Sequence, residues 1–411
     1  MNNNLLNTID LFAGCGGLSD GFEKTGNYRS LGFVEWEKQP CATLIKRLKK
    51  KWHYPNADEI VLQFDMQRID ELINGWGKDE VFGKHKGLKE LVNNRKVDLI
   101  IGGPPCQAYS IAGRVRDEKG MHEDYRNYLF ESYLAIVKEF RPKLFVFENV
   151  EGILSAKPGG VSIIERIVSD FANNGYTILG DLRKYALLNV ADFGVPQKRK
   201  RIIIIGVNNE LIKSTPEFAL VDFYDNILST FRKKVKVTVN EAISDLPKLF
   251  PLNSESKING LKLSHNLSSP KFLNHSPRFH SKRDQEIFKE IALDKFNKTN
   301  KYPNSEALIE LYFQKTGKRS NFHKYHVLDQ NKPSNTIPAH LFKDGLRHIH
   351  PDPEQARSIT VREAARLQGF DDDFEFLGSM GDQYKMIGNA VPPILSECIA
   401  KATHIFINKY F

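Results

Sequence analysis

The sequence predicts an α/β protein: a mostly parallel, twisted sheet flanked by helices, with a smaller loop-rich domain placed late in the chain. Three observations carry that prediction. Residues 1–206 alternate short apolar runs with amphipathic stretches, the pattern of repeated strand–helix units. Those runs end in glycines or acids, at the carboxyl edge where open α/β sheets collect their ligands. After Gly206 the alternation dissolves into Ser-, Asn-, Lys- and Pro-rich chain, and a regular pattern returns at Ser358. The expected parts are a first domain over 1–206, a second over 207–380, and a segment over 381–411 that returns to the first.

The first strand, Thr8–Phe12, runs into Ala13-Gly14-Cys15-Gly16-Gly17-Leu18 and a helix over Ser19–Thr25. Such a turn aims backbone N–H groups at a ligand. Its spacing is not G-x-G-x-x-G, and it lacks the Lys-Ser/Thr pair of a P-loop. The second strand, Ser30–Val34, ends in Glu35-Trp36. A carboxylate there suits ribose hydroxyls, and the indole offers a flat apolar face. The third, Ile60–Phe64, ends at Asp65, placed to accept from an exocyclic amine. Singly, these read as surface acids and a packed Trp; together they outline an adenosine pocket.

The fourth run, Val97–Ile101, is apolar except for Asp98 and reads as a buried strand. Gly102-Gly103-Pro104-Pro105 stops it, with Cys106 at the mouth of the turn. That thiol is a candidate nucleophile or a small packing group. Gly113–Gly120 reads as a polar loop. A helix over Tyr125–Phe140 follows, with Leu129, Tyr133, Ile136, Val137 and Phe140 on one face. The strand Lys143–Phe147 ends in Glu148-Asn149-Val150, a third acid at a strand terminus. A helix over Ile163–Asn173 leads to Gly175–Ile178. The cations of Lys198-Arg199-Lys200-Arg201 then abut the apolar run Ile202–Ile205, which would draw Arg201 toward the sheet edge.

In the later segment only Asp284–Phe296 and Ser305–Lys315 read as helices; Leu249–Pro270 and Phe322–His350 read as loop. A helix over Thr360–Leu367 opens with a capping box, Thr360 and Glu363. The last motif is Gln383–Pro393, and a terminal helix spans Ile394–Asn408.

Composition bounds the function. The 411 residues are 41% hydrophobic and 27% charged, an ordinary globular balance. No apolar run reaches the roughly 18 residues of a membrane span. The N-terminus lacks the basic and apolar regions of a signal peptide. Cys15, Cys41, Cys106 and Cys398 have neither metal-like nor disulfide-like spacing, as expected in a reducing cytoplasm. Of a net charge of +9, an excess of seven lies between Val207 and Arg357, with 24 Lys and Arg against 17 Asp and Glu. A basic insert of this kind suits a polyanion. His323, His326, His340, His348 and His350 lie there without a cysteine, which suits phosphate or base contacts, or packing, better than a metal.

Six stretches, in order, resemble the motifs of the DNA (cytosine-5) methyltransferases. They are Asp10–Gly17, Gly103–Gln107, Glu148–Val150, Gln197–Arg201, Arg362–Leu367 and Gly388–Val391. The resemblance covers about the first 206 residues and the stretch from Ser358 onward; the gap resembles the family's target-recognition region. It implies a Rossmann-like domain dependent on S-adenosylmethionine, with no metal, acting on double-stranded DNA. Cys106 would attack C6 of a flipped-out cytosine, Glu148 would hold N3, Arg201 would contact O2, and Arg199 would steady the base or Glu148. The cofactor would be held by Phe12, Ala13, Gly14, Gly16, Gly17, Leu18, Glu35, Trp36, Asp65, Met66, Pro105, Leu129, Asn389 and Ala390. DNA would be met by Gln107, Ser110, Arg114, Arg116, Arg278, Lys282, Arg283 and Arg347, and 107–122 would close over the flipped base. Pro-Pro-Cys, in place of the Pro-Pro-aromatic of amine methyltransferases, argues for carbon methylation. The chain departs at Phe370-Asp371-Asp372, where the family often has Phe-Pro-Asp. The resemblance points to the modification enzyme of a bacterial restriction–modification system, acting as a monomer, with a restriction endonuclease for the same site. A transfer-RNA methyltransferase of the same fold, or an inert DNA-binding homologue, is the alternative; the long basic insert and the complete motifs weigh against them.

Overall fold

The computed structural model describes residues 5–105, 129–258, 260–319 and 325–411. The chain forms two compact units. One comprises Met1–Gly194, Arg199–Lys234 and Ala390–Phe411; the other comprises Val195–Lys198 and Val235–Asn389.

The first unit is built on an eight-stranded mixed sheet. Its elements are β1 (Leu6–Leu11), α1 (Gly17–Lys24), β2 (Tyr28–Glu35), α2 (Lys38–Lys50), β3 (Val61–Gln63), β4 (Leu99–Gly102), α3 (Leu129–Phe140), β5 (Leu144–Val150), α4 (Ile163–Ala172), β6 (Tyr176–Ile178), β7 (Leu187–Asn189) and β8 (Lys200–Asn208). The order is β3-β2-β1-β4-β5-β8-β6, with β7 also on β8. The pairings from β3 to β5 are all parallel, and β8 runs antiparallel to β5, β6 and β7. The central strands are apolar throughout because both faces are covered. Ile100, Ile101, Phe145, Val146 and Ile202 through Ile205 are fully buried. Tyr133 on α3 is buried against this centre and donates its hydroxyl to Ile100 O and Val146 O, both at 3.0 Å. The terminal helix, Pro393–Tyr410, packs on α1 and holds β2 through Tyr28, whose hydroxyl donates to Ala400 O at 2.7 Å.

This unit runs past the expected boundary at 206, to Lys234. The reason is packing. Leu220, Phe223 and Leu228 are buried, and the Tyr224 hydroxyl donates to Ile203 O at 2.9 Å while accepting from Ile205 N at 3.0 Å.

The second unit carries a hairpin of β9 (Pro251–Ile258) and β10 (Leu261–His265), then α5 (Lys282–Asn297), α6 (Ser305–Thr316), α7 (Val361–Gln368) and α8 (Met380–Asn389). The hairpin replaces the loop expected over 249–270. Helix α8 was not expected, and it carries this unit to Asn389, past the expected boundary at 380. An apolar core gathers Ile287, Phe288, Ile291, Leu311, Val327 and Ile349. Beside it lies a buried polar core. Arg357 pairs with Glu363 at 2.6 Å, His350 lies 3.6 Å from Glu363, and His275 bonds Thr360 at 2.9 Å. The capping box of Thr360 and Glu363 opens α7 as expected.

Candidate active site

The sheet topology sets where the side chains meet. Strands β1 to β5 are parallel, so their carboxyl ends share one edge. Because β8 is antiparallel, its beginning, Lys200 and Arg201, reaches that same edge, and Arg201 pairs in register with Val150.

At one end of the edge, β1 leaves the sheet through Phe12, which is held at φ 58°. A left-handed conformation is rare for an aromatic residue and stores strain at this turn. Gly16 follows at φ +91°, and a Cβ there would stand 2.6 Å from Leu44 Cδ1, so only glycine fits. The turn is bonded to the end of β2. Gly14 N donates to Glu35 Oε2 at 2.8 Å, and Glu37 N donates to Glu35 Oε1 at 2.7 Å. Burial raises the Glu35 carboxyl above the usual range, and those two backbone donors pull it back. Each carboxylate oxygen keeps a second lone pair for a ligand hydroxyl. Trp36 leaves its ring 52% exposed, an unusual state for an indole in a folded protein. Asp65 is half-buried and accepts from Gln67 N at 2.9 Å, while Met66 is buried. Beneath the turn, Asp10 is buried with both oxygens lacking a hydrogen-bond partner among the described residues. Burial pushes its carboxyl up to about 8; Ser19 moderates the shift without reaching hydrogen-bond geometry. A strained turn, an acceptor pair and an open indole face suit a nucleoside.

Further along the edge, β4 ends in Gly102-Gly103-Pro104-Pro105. Asn149, buried at the end of β5, donates its side-chain amide to Pro104 O at 3.2 Å, and its Oδ1 accepts from Val150 N at 2.9 Å. The proline turn is therefore tied to β5. Glu148 stands beside it: a Cβ on Gly103 would lie 2.6 Å from Glu148 Oε2. Arg201 Nε meets Glu148 Oε1 at 2.8 Å, with both side chains mostly buried, and Arg201 Nη1 donates to Lys200 O at 2.7 Å. Burial lifts the Glu148 carboxyl above its ordinary range even though Arg201, and then Arg199, pull it down. Burial thus favours the protonated acid while the two guanidinium groups favour the carboxylate.

The expected residues thus fall into groups. Phe12, Ala13, Gly14, Gly16, Gly17, Leu18, Glu35 and Trp36 lie at or just after the ends of β1 and β2, and Asp65 and Met66 follow β3. Glu148, Arg201 and the buried Arg199 gather at β5 and β8, with Pro105 at the turn and Leu129 opening α3. Asn389 closes the second unit, and Ala390 resumes the first. Cys106, Gln107, Ser110, Arg114 and Arg116 lie outside the described residues, as does His323. Asn149 was given no role from sequence. Its signal was an amide beside the strand-end acid of a buried strand, where a polar group must find a partner.

In the second unit, Arg278 donates to Phe342 O at 2.8 Å and Leu341 O at 2.9 Å, and covers the Tyr384 ring at 5.0 Å. Lys282 donates to Leu252 O, and Arg283 pairs with Asp284 at 2.9 Å. Arg347 is exposed. His348 and His350 are buried, which favours packing for these two. No cluster that could hold a metal occurs among the described residues, and no described helix is long and apolar enough to cross a membrane.

The family model described as C-5 cytosine-specific DNA methylase matches residues 6–404. The chain is 36% identical to Type II methyltransferase M.Bpa9945I of Bacillus paralicheniformis, over 97% of this chain and 99% of that protein. It is 34% identical to Type II methyltransferase M1.HphI of Haemophilus parahaemolyticus, over 97% of this chain and 86% of the other. Among solved structures, an E. coli prophage-encoded protein described as a DNA modification methyltransferase aligns with a TM-score of 0.65 at 26% identity, over 98% of this chain and 99% of its own.

Proposed function

The chain belongs to the C-5 cytosine-specific DNA methylase family and is a DNA (cytosine-5) methyltransferase; on that premise we propose how its own residues carry out the reaction. The single observation that carries the proposal is the Glu148–Arg201 pair, 2.8 Å apart beside the Gly103-Pro104-Pro105 turn that leads directly into Cys106.

Cytosine C5 is a weak nucleophile in its ground state. Attack of the Cys106 thiolate on C6 forms a C–S bond and moves the ring electrons toward C5. Glu148, its carboxyl lifted by burial, shares a proton with N3 as negative charge develops in the ring. Arg201 steadies Glu148 and offers a guanidinium N–H to O2. Arg199 supports the same carboxyl. After substitution at C5, loss of the C5 proton re-forms the C5–C6 double bond and expels the thiolate. Reaching the ring face requires the base to leave the stack.

S-adenosylmethionine, when bound, supplies an electrophilic methyl group. The turn from Phe12 to Leu18 and Glu35, Trp36, Asp65 and Met66 would hold it, with Pro105, Leu129 and Ala390 completing the site. Glu35 would accept from ribose hydroxyls, Trp36 would offer its ring to the adenine, and Asp65 would accept from the adenine amino group. The Type II methyltransferases among its relatives support a modification role in a restriction–modification system; we propose that the chain acts as a monomer in the cytoplasm, alongside an endonuclease for the same site.

The test is transfer of labelled methyl from S-adenosylmethionine to duplex DNA and to transfer RNA. Label on cytosine C5 of duplex alone is expected. Label on RNA alone would overturn the reading.

A further inference from the structure

The hairpin β9–β10 differs from the rest of the second unit in charge, exposure and anchoring. From Lys248 to Arg283 the sequence holds seven Lys and Arg and a single acid, Glu255. That net excess of six is nearly the whole excess of the basic insert. Within the hairpin, Lys257 and Lys262 form a directly paired cross-strand couple, as do Ser256 and Leu263, and Ile258 and Leu261. Like charges directly opposite each other destabilise a ribbon. Lys262 lies 5.7 Å from the Phe279 ring. Asn253, Ser254, Ser256, Lys257, Ile258 and Lys262 are all exposed, with Ile258 at 49%. A two-stranded ribbon exposed on both faces is marginal on its own.

Its root, by contrast, is fixed in the buried polar core. His265 is fully buried, bonding Gln355 O at 2.9 Å through Nε2 and Ser264 Oγ at 2.9 Å through Nδ1. Ser264 Oγ also accepts from His280 N at 2.9 Å. Gln355 Oε1 accepts from Leu249 N at 3.0 Å, and Lys282 donates to Leu252 O. A rigid root under an open tip holds its shape before a partner arrives, which lowers the entropy cost of binding.

We propose that β9–β10 is the element that reads the target sequence, entering the major groove of duplex DNA as a two-stranded ribbon. Ser256 and Ile258 meet base edges, and Lys257 and Lys262 meet phosphates. This rests on the methyltransferase reading above and adds to it the residues that set specificity. The major groove, about 12 Å wide, admits such a ribbon. The two sets of side chains divide by strand alternation: Ser256 and Ile258 share one face, and the paired lysines share the other. Serine serves either a donor or an acceptor edge, and an aliphatic side chain suits a thymine methyl.

The test uses the full chain, S-adenosylmethionine, and duplexes randomised around a cytosine, read by bisulfite sequencing. The Ser256→Ala/Ile258→Ala variant should lose about tenfold or more of its base preference at one position or more. The Lys257→Ala/Lys262→Ala variant should weaken on all sequences alike and lower the slope of log affinity against log salt by about two. Lys289→Ala, an exposed control on α5, should match wild type. If the Ser256/Ile258 variant transfers no methyl, competition binding with target and scrambled duplex decides: lost discrimination supports the proposal, and retained discrimination overturns it. An unchanged site profile or an unchanged salt slope also overturns it, as does weakened binding to transfer RNA with duplex binding intact. Absence of transfer to any duplex by wild type would instead overturn the underlying reading, and this proposal with it.

Discussion

Gly103 lies against the carboxylate on which the proposed chemistry turns. Its missing Cβ leaves room for Glu148 Oε2, 2.6 Å from where that carbon would be. The obstacle is the end of a side chain rather than backbone, so Gly103→Ala should displace Glu148 more than it unfolds the sheet. Methyl transfer should fall by about a hundredfold or more, with the melting temperature within a few degrees of wild type and cofactor affinity retained. Turnover at the wild-type rate would mean that Glu148 needs no such placement. Asn149→Ala should remove the tie to Pro104 O, lower kcat and leave cofactor affinity unchanged in a titration; a change in KM alone would contradict a positioning role. At this scale the sequence was legible where chemistry dictates residue type. The places of Glu35, Asp65 and Glu148 at or near strand ends could be read from the apolar runs before them; their roles rest on the resemblance. The role of Asn149 was not read, although an amide beside a strand-end acid was its signal, because its partner is a backbone carbonyl 45 positions earlier.

The elements that hold the site follow from period and punctuation. Strands β1, β2, β4, β5 and β8 begin and end within two or three residues of their expected bounds, because apolar runs bounded by Gly, Pro or acids leave little freedom. Helix α2 and helix α8 escaped detection. The apolar positions of α2 are interleaved with lysines, and its buried Arg47 pairs with Asp20 at 2.7 Å, an anchor no periodicity reveals. The hairpin β9–β10 was read as loop because its residues are polar and Ser-rich and it buries no apolar face along its length. The turn after β1 gives a prediction at this scale. Gly16→Ala must place a methyl 2.6 Å from Leu44 Cδ1 at φ +91°. Both effects deform the turn proposed to hold the cofactor and its packing on α2. Isothermal titration should show at least tenfold weaker binding of S-adenosylhomocysteine, with a melting temperature several degrees lower; wild-type affinity would free the turn of that role.

Over the whole molecule, the two units bury titratable groups of opposite kind, neutral histidines in one and a neutral acid in the other, and should answer pH in opposite directions. In the second, burial lowers His265, His348 and His350 to about 4 and His280 to about 3. His350 faces Glu363 with Arg357, Asp352 and His275 around it, and Glu363 is itself held well below the carboxylate range by Arg357. The folded histidines stay neutral while the unfolded chain takes up protons near 6.5. Their stability is therefore complete above about pH 6.5 and is lost as pH falls toward 4, on the order of 3 kcal/mol for a shift of this size. In the first unit Asp10 is raised to about 8, so its contribution is complete below the ordinary carboxylate range and is lost as pH rises through 8. Hydrogen exchange from pH 8 to 5 should show the second unit losing protection first, and His280→Gln should reduce that loss; equal protection in both units would contradict this assignment. The division into a sheet unit and a basic insert was legible from the change of pattern at Gly206. Its bounds were not, because Tyr224 and Phe223 join the first unit by long-range packing.

The central claim is that this chain methylates cytosine C5 in duplex DNA through Cys106. It is tested most directly by incubating the full chain with S-adenosylmethionine and a duplex in which 5-fluorocytosine replaces cytosine, since fluorine at C5 cannot leave as a proton does. The account predicts a covalent protein–DNA complex that withstands denaturation, with the DNA mapped by mass spectrometry to the peptide containing Cys106 and no complex from Cys106→Ala. An adduct that persists in Cys106→Ala, or methylated duplex from that variant, would contradict it.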